Sequence, residues 1–125
     1  MKNQGQKVVP AAFYREPGSD PPSEPVRDWL QTLARTEVTE IGRDLKVVEY
    51  YWPRVQDVRP KLVKHFEGAI WYTRTNLESR IARVFFTILG GRMILLHGFI
   101  KKSRVISETD GRIARDRLRK LKESG

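Results

Sequence analysis

Basic side chains in the second half of the chain are placed where they can bind a phosphate. Five of them lie along neighbouring predicted strands or just past the strand ends: Arg74, Arg83, Lys101, Lys102 and Arg104. Lysine and arginine form charge-assisted hydrogen bonds with phosphate oxygens. A cluster of cations also lowers the pKa of a lysine within it, because like charges disfavour the protonated form. These residue types predict a binding site for a phosphate-bearing polyanion.

Each of these residues also has a structural interpretation. Arg74 can equally well hold a carboxylate or a backbone carbonyl, and Lys101 and Lys102 can form a solvated strand end. Arg83 lies between apolar neighbours, where a cation is seldom placed without a role, so we favour a phosphate contact there. His97 alternates with apolar residues, and we interpret it as a hydrogen-bonded core histidine.

The distribution of charge supports a polyanionic partner. The net charge is +9, and residues 1–68 carry 11 Lys/Arg against 10 Asp/Glu, whereas residues 69–125 carry 13 against 5. An excess of positive charge confined to one half of a chain is typical of nucleic-acid binding. An acidic protein partner is the alternative, and the two partners are compatible with one surface.

The composition excludes several classes of site. The chain has no cysteine and two histidines, which rules out disulfides and thiol catalysis and argues against zinc. The sequence has no metal-ligand constellation, no glycine-rich phosphate loop and no nucleophilic triad, so we expect no metal and no cofactor. It has neither an apolar signal core nor a membrane-length apolar run. We expect a cytoplasmic protein that forms one domain over residues 1–125, with residues 1–7 mobile.

The first half of the chain predicts one strand and two helices. Residues 8–14 are mostly apolar and predict a strand, and residues 15–25 form a proline-rich loop. A helix follows with Pro25 in its first turn. A second apolar stripe at helical spacing runs from Val38 to Val48, and residues 50–68 are expected to be irregular because prolines interrupt them.

The second half predicts three consecutive strands and a final helix. The strands cover residues 68–75, 81–89 and 93–100, with Gly90-Gly91 as a tight hairpin turn between the last two. Ser107 can cap the last helix, with Asp110 three residues on. The predicted class is therefore α+β, an antiparallel sheet with two N-terminal helices and one C-terminal helix.

Several segments resemble the RelE/ParE superfamily of toxins, and within it the HigB branch, which includes phage-derived RelE-like proteins. The similarity runs from about residue 8 to residue 122. The segments that carry it are PVRDWL at 25–30, IGRDL at 41–45, PKLVK at 60–64, GAIWYTR at 68–74, RVFF at 83–86 and LLHGFIKK at 95–102. The last is close to the family's LLHGFxKK and is the most specific.

The resemblance implies the RelE-like fold and the toxin of a type II toxin–antitoxin system. Such a toxin is a metal-independent endoribonuclease that cuts mRNA in the ribosomal A site by attack of a 2′-hydroxyl on the adjacent phosphate. It implies a helix-turn-helix, HigA-like antitoxin as partner. The catalytic residues carried over are Arg83, Lys101, Lys102 and Arg104. The RNA-binding residues expected are Tyr72, Arg74, Arg80, Arg115 and Arg119.

The sequence also departs from the family pattern. Residues 103–107 read SRVIS where the family has threonine, a basic residue and Thr-Pro, and Tyr72 stands where it usually has glutamate. Two other functions therefore stay open: a ParE-like inhibitor of DNA gyrase, and a non-catalytic RNA-binding module. The arginine-rich last helix is open to two interpretations, as a binding face for ribosomal RNA or as a solvated surface.

Overall fold

A computed structural model describes residues 5–18 and 20–124. Residues 1–4 lie outside this part of the chain, and the mobility of residues 1–7 stays a prediction. The elements are, in order, β1 (Ala11–Phe13), α1 (Pro25–Leu30), α2 (Arg35–Tyr51), a 3-10 turn (Val55–Asp57), β2 (Val63–Glu67), β3 (Ile70–Asn76), β4 (Ile81–Leu89), β5 (Arg92–Ile100) and α3 (Glu108–Ser124). No helix in the described residues is long and apolar enough to cross a membrane.

The strands form one five-stranded sheet in the order β1-β5-β4-β3-β2. The pairs from β2 to β5 are antiparallel, and β1 alone lies parallel to its neighbour β5. The predicted α+β class, with an antiparallel sheet and three helices, is confirmed apart from the parallel pairing of β1, and this architecture is consistent with a RelE-like fold.

The turn between β4 and β5 has the backbone that its sequence predicts. Gly90 and Gly91 have φ values of 61° and 74°, a left-handed conformation that glycine adopts without steric cost. Two successive residues of this kind match the twist of the flanking strands, and Leu89 pairs directly with Arg92. The hairpin sets the register near the turn, and a register shift between Phe85 and Phe86 changes the pairing toward the other ends of the two strands, where Ala82 faces Ile100.

Residues 50–68 were expected to be irregular, but Val63–Glu67 form the strand β2. The three strands predicted in the second half of the chain therefore belong to a larger, five-stranded sheet. Lys64, His65 and Glu67 interrupt any apolar alternation in β2, and these three are exposed. Charged residues are common on edge strands, where they discourage pairing with other chains. The short β1 pairs with β5 only from Met93 to Leu95.

Apolar cores lie on both faces of the sheet. One contains Val84 and Phe86 of β4 together with Ile41 and Val48 of α2, and the other contains Phe85 with Ala114 of α3. Because successive residues of a strand point to opposite faces, a strand between two helical layers is apolar at most positions. This explains why β4 and β5 are mostly apolar, with buried Arg83 and Thr87 as the polar exceptions in β4.

Candidate functional site

The sheet register brings Arg74, Arg83 and Lys101 to one end of the α3 face. Arg74 of β3 is the direct neighbour of Arg83 in β4. Arg83 is two residues from Phe85, so both side chains point to the face that α3 covers. Lys101 directly follows β5, and its backbone N–H donates to the carbonyl oxygen of Ile81 at 2.8 Å.

We call Arg74, Arg83, Lys101 and Arg104 the cation cluster, and Arg83 is its buried centre. Its residue is 4 % exposed, and its guanidinium carbon lies 5.4 Å from the centroid of the Tyr72 ring. The Nη2 donates to the carbonyl oxygen of Arg104 over 3.4 Å, whereas the Nε has no hydrogen-bond partner among the described residues. Within residues 5–18 and 20–124, Arg83 has no carboxylate partner and keeps a free N–H; a buried guanidinium of this kind is costly to desolvate, so it favours binding of an anion.

Lys101 is partly buried within the same cluster. Burial first, and then the positive charges of Arg74, Arg83 and Arg104, hold the pKa of Lys101 below its ordinary value. All four causes disfavour the ammonium form, and no carboxylate opposes them. The lysine is therefore easier to deprotonate than a lysine in water, as an acid or a base in proton transfer requires.

A cleft of about 540 Å³ opens beside Arg83 around the end of β5. Eleven residues line it: Trp29, Arg83, Gly98, Phe99, Ile100, Lys102, Ser103, Val105, Ser107, Thr109 and Asp110. Trp29 of α1 lies directly on Gly98, where a Cβ would come within 2.3 Å of the indole ring. Only glycine lets the ring pack so closely against the strand.

A hydrogen-bond chain fixes the start of α3 beside the cleft. The Ser107 hydroxyl accepts from the backbone N–H of Asp110 at 3.0 Å and donates to the Asp110 carboxylate at 2.7 Å. The other carboxylate oxygen lies 2.7 Å from Nε2 of His97. Burial lowers the pKa of His97, although the nearby Asp110 acts in the opposite direction. This arrangement fits the predicted core histidine and the predicted Ser107 cap.

The cation cluster includes only some of the residues predicted to bind RNA. Arg74 belongs to it, and the Tyr72 ring lies against Arg83. Arg80 instead donates two hydrogen bonds to Glu37 of α2, at 2.8 and 2.9 Å. On α3, other carboxylates hold Arg115 and Arg119.

These two arginines of α3 lie in ion pairs. The Nε of Arg115 is 2.8 Å from Glu67 of β2. Arg119 pairs with Asp116 and Glu123 of its own helix, at 3.7 and 3.5 Å. All of these groups are well exposed, and such pairs contribute little stability, so an RNA phosphate can compete for both arginines.

Of the eleven cleft residues, only Arg83 and Lys102 were predicted from the sequence as site residues, and Trp29 and Asp110 are among those that were missed. Trp29 was assigned only to the apolar face of a helix, and Asp110 only to a helix cap. The one local signal was Gly98, because a glycine inside a strand often marks a close approach of another group.

The model of a protein family described as Phage derived protein Gp49-like (DUF891) matches residues 28–119, which is more than half of the chain. The match begins within α1 and ends within α3, so it includes the cation cluster and most of the cleft. No curated protein and no solved structure matches the chain.

Proposed function

The chain belongs to the Gp49-like family of phage-derived proteins, and from this membership we propose that it is the toxin of a type II toxin–antitoxin pair. The proposed activity is a metal-independent, HigB-like mRNA interferase that cuts mRNA in the ribosomal A site and stops translation. The observation that carries this proposal is the buried Arg83, whose Nε has no partner in the part of the chain that the structure describes, beside Lys101 with its lowered pKa.

In the proposed reaction, the 2′-hydroxyl of one nucleotide attacks the phosphorus on its 3′ side. An oxygen–phosphorus bond forms, and the bond from phosphorus to the 5′-oxygen of the next nucleotide breaks. The attacking hydroxyl gives its proton to a base, and the leaving oxygen takes one from an acid. The products carry a 2′,3′-cyclic phosphate and a 5′-hydroxyl, so atoms and protons balance.

The cation cluster has groups that would take the proton of the attacking hydroxyl and stabilise the charge of the phosphorane. Lys101 in its neutral form is our candidate for the base, because its lowered pKa makes that form more accessible. Arg83, Arg74 and Arg104 would stabilise the negative charge of the phosphorane, as fixed donors do where charge develops. Lys102 lines the cleft and would hold a flanking phosphate.

The positive charges of α3 and of the cation cluster suggest the proposed partners. Arg112, Arg115, Arg119 and Lys122 recur at helical spacing along one side of α3 and would contact ribosomal RNA phosphates. We propose a helix-turn-helix antitoxin that covers the cation cluster with an acidic segment. Both proposed partners are cytoplasmic, and we propose that the protein acts there.

The test is to add the protein to a translating bacterial extract and map new mRNA 5′ ends, with and without active ribosomes. Cuts within or beside codons, only on translated messages, are expected. An isolated sheet surface cannot position mRNA as a ribosome does, so we expect little cutting of free RNA.

The other outcomes separate the alternative functions. Cuts on free RNA as well would indicate a ribonuclease that needs no ribosome. Growth arrest without any cut would favour gyrase as the target. The absence of both cutting and arrest would favour a non-catalytic RNA-binding module and contradict the proposal.

A further inference from the structure

The cleft beside Arg83 can contact the base of a nucleotide as well as its phosphate. Trp29 and Phe99 contribute aromatic surface to its lining, and Val105, which is 76 % exposed, adds apolar surface. A concave site of about 540 Å³ that joins aromatic side chains to a few polar groups has the usual character of a small-molecule subsite. Nucleobases that are splayed out of a single strand stack on such side chains.

Arg83 defines the phosphate end of this cleft. It lines the cleft and is 96 % buried, and its Nε has no hydrogen-bond partner among the described residues. This free donor is independent of the aromatic lining, and it indicates an anionic group at that end. A ligand that satisfies both features is one nucleotide of a single strand.

Asp110 is the acidic residue in the cleft lining. An ionised carboxylate has about four acceptor positions and no donor. Its two oxygens meet one donor each, His97 Nε2 and the Ser107 hydroxyl, if the histidine carries its proton on that nitrogen. The remaining capacity suits two adjacent N–H donors. Guanine presents such a pair, N1–H and the N2 amino group, on its Watson–Crick edge.

We propose that this cleft is a base-recognition subsite for a guanine next to the cut, with its base against Trp29 and its edge on Asp110. The subsite rests on the proposed mRNA cleavage, because Arg83 would hold the phosphate of the same nucleotide. It goes further by naming a residue that sets base preference. In this proposal, Asp110 determines which base is recognised next to the cut, and Lys101 takes part in the cleavage reaction.

The experiment compares the bases that flank mapped cuts for the wild type, Asp110→Asn and the control Asp116→Asn. Asp116 lies on α3 outside the cleft lining. The wild type and the control should favour guanine at one fixed position. Asp110→Asn, which replaces one acceptor by a donor, should lose roughly tenfold of that preference. The preference is a ratio between sites, so a partly unfolded variant does not change it.

Several outcomes of this comparison would overturn the subsite. Cuts without a guanine preference, or a preference that survives in Asp110→Asn, would overturn the subsite. Neither result would contradict the proposed nuclease activity. No cutting by the wild type would overturn both.

A binding measurement keeps the subsite testable if Asp110→Asn does not fold. Guanosine 5′-monophosphate should shift the NMR resonances of the Trp29 indole and the Gly98 amide in the wild type. Uridine 5′-monophosphate should shift them less at the same concentration. Equal shifts, or shifts confined to other residues, would overturn guanine recognition by this cleft.

Discussion

Lys101 is perturbed by surroundings that all act in the same direction. Partial burial and three arginines lower its pKa, and the backbone bond to Ile81 fixes the place where its side chain leaves the sheet. Opposite charges would have raised the pKa instead, as Glu16 does for Lys120 on α3. The absence of a neighbouring carboxylate among the causes therefore distinguishes Lys101 from a surface lysine in an ion pair.

Replacement of Arg74 by glutamine should raise the pKa of Lys101 toward its ordinary value of 10.5. The substitution removes one positive charge that disfavours the ammonium form, so protonation becomes easier. If Lys101 is the base, mRNA cutting below that pKa should slow, because less lysine is neutral. NMR titration of the lysine side chains measures the pKa directly.

Arg92→Gln is the matched control, since Arg92 lies at the opposite end of β5. It should leave the pKa of Lys101 unchanged. If the pKa of Lys101 is identical in Arg74→Gln and in the wild type, Arg74 and Lys101 are not electrostatically coupled.

At the scale of elements, α1 is positioned by its contact with β5. Trp29 is partly buried against the core that α2 also covers, and its ring rests on the backbone of Gly98. β1 pairs with β5 only as far as Leu95, so the following stretch of β5 has no strand on that side among the described residues. Trp29 covers part of this stretch and forms part of the cleft.

Gly98→Ala should destabilise the protein by about 1–3 kcal/mol. Its Cβ would lie 2.3 Å from the Trp29 ring, so α1 must move away. Gly42→Ala is the opposite control, because nothing lies within 4 Å of its Cβ in α2. Alanine there should stabilise by up to about 1 kcal/mol through helix propensity. Urea denaturation measures both; a neutral Gly98→Ala would contradict the close packing of Trp29.

Elements with strong local signals could be predicted from the sequence. β4 was predicted as residues 81–89 and has these bounds, because its branched and aromatic residues and the following Gly90-Gly91 turn are unambiguous. β2 was missed since its apolar residues are too few. The parallel pairing of β1 with β5 joins segments about eighty residues apart, and no local pattern encodes it.

For the site too, local features could be predicted from the sequence and contacts between distant elements could not. The gathering of Arg74, Arg83 and Lys101 could be expected once the strands were in place. The pairing of Arg80 with Glu37 spans 43 residues, and that of Arg115 with Glu67 spans 48. Such partners depend on how distant elements pack, so sequence patterns alone left these arginines as candidate RNA contacts.

Across the whole molecule, the basic half of the chain supplies most of the sheet and all of α3. The cation cluster lies on the face that α3 covers, and α1 and α2 pack on the other face. Of the 13 Lys/Arg in residues 69–125, five belong to the proposed site and six lie on α3. A field of one sign around a cleft attracts a polyanion and makes its binding sensitive to salt.

The central claim is that the cation cluster cuts mRNA, and single-turnover cutting of a ribosome-bound message tests it most directly. Lys101→Ala should slow the step by about 10² or more, the usual contribution of a general acid or base. Arg92→Ala, which removes one positive charge from the far end of β5, should cut at the wild-type rate. Cutting by Lys101→Ala at the wild-type rate would contradict the claim.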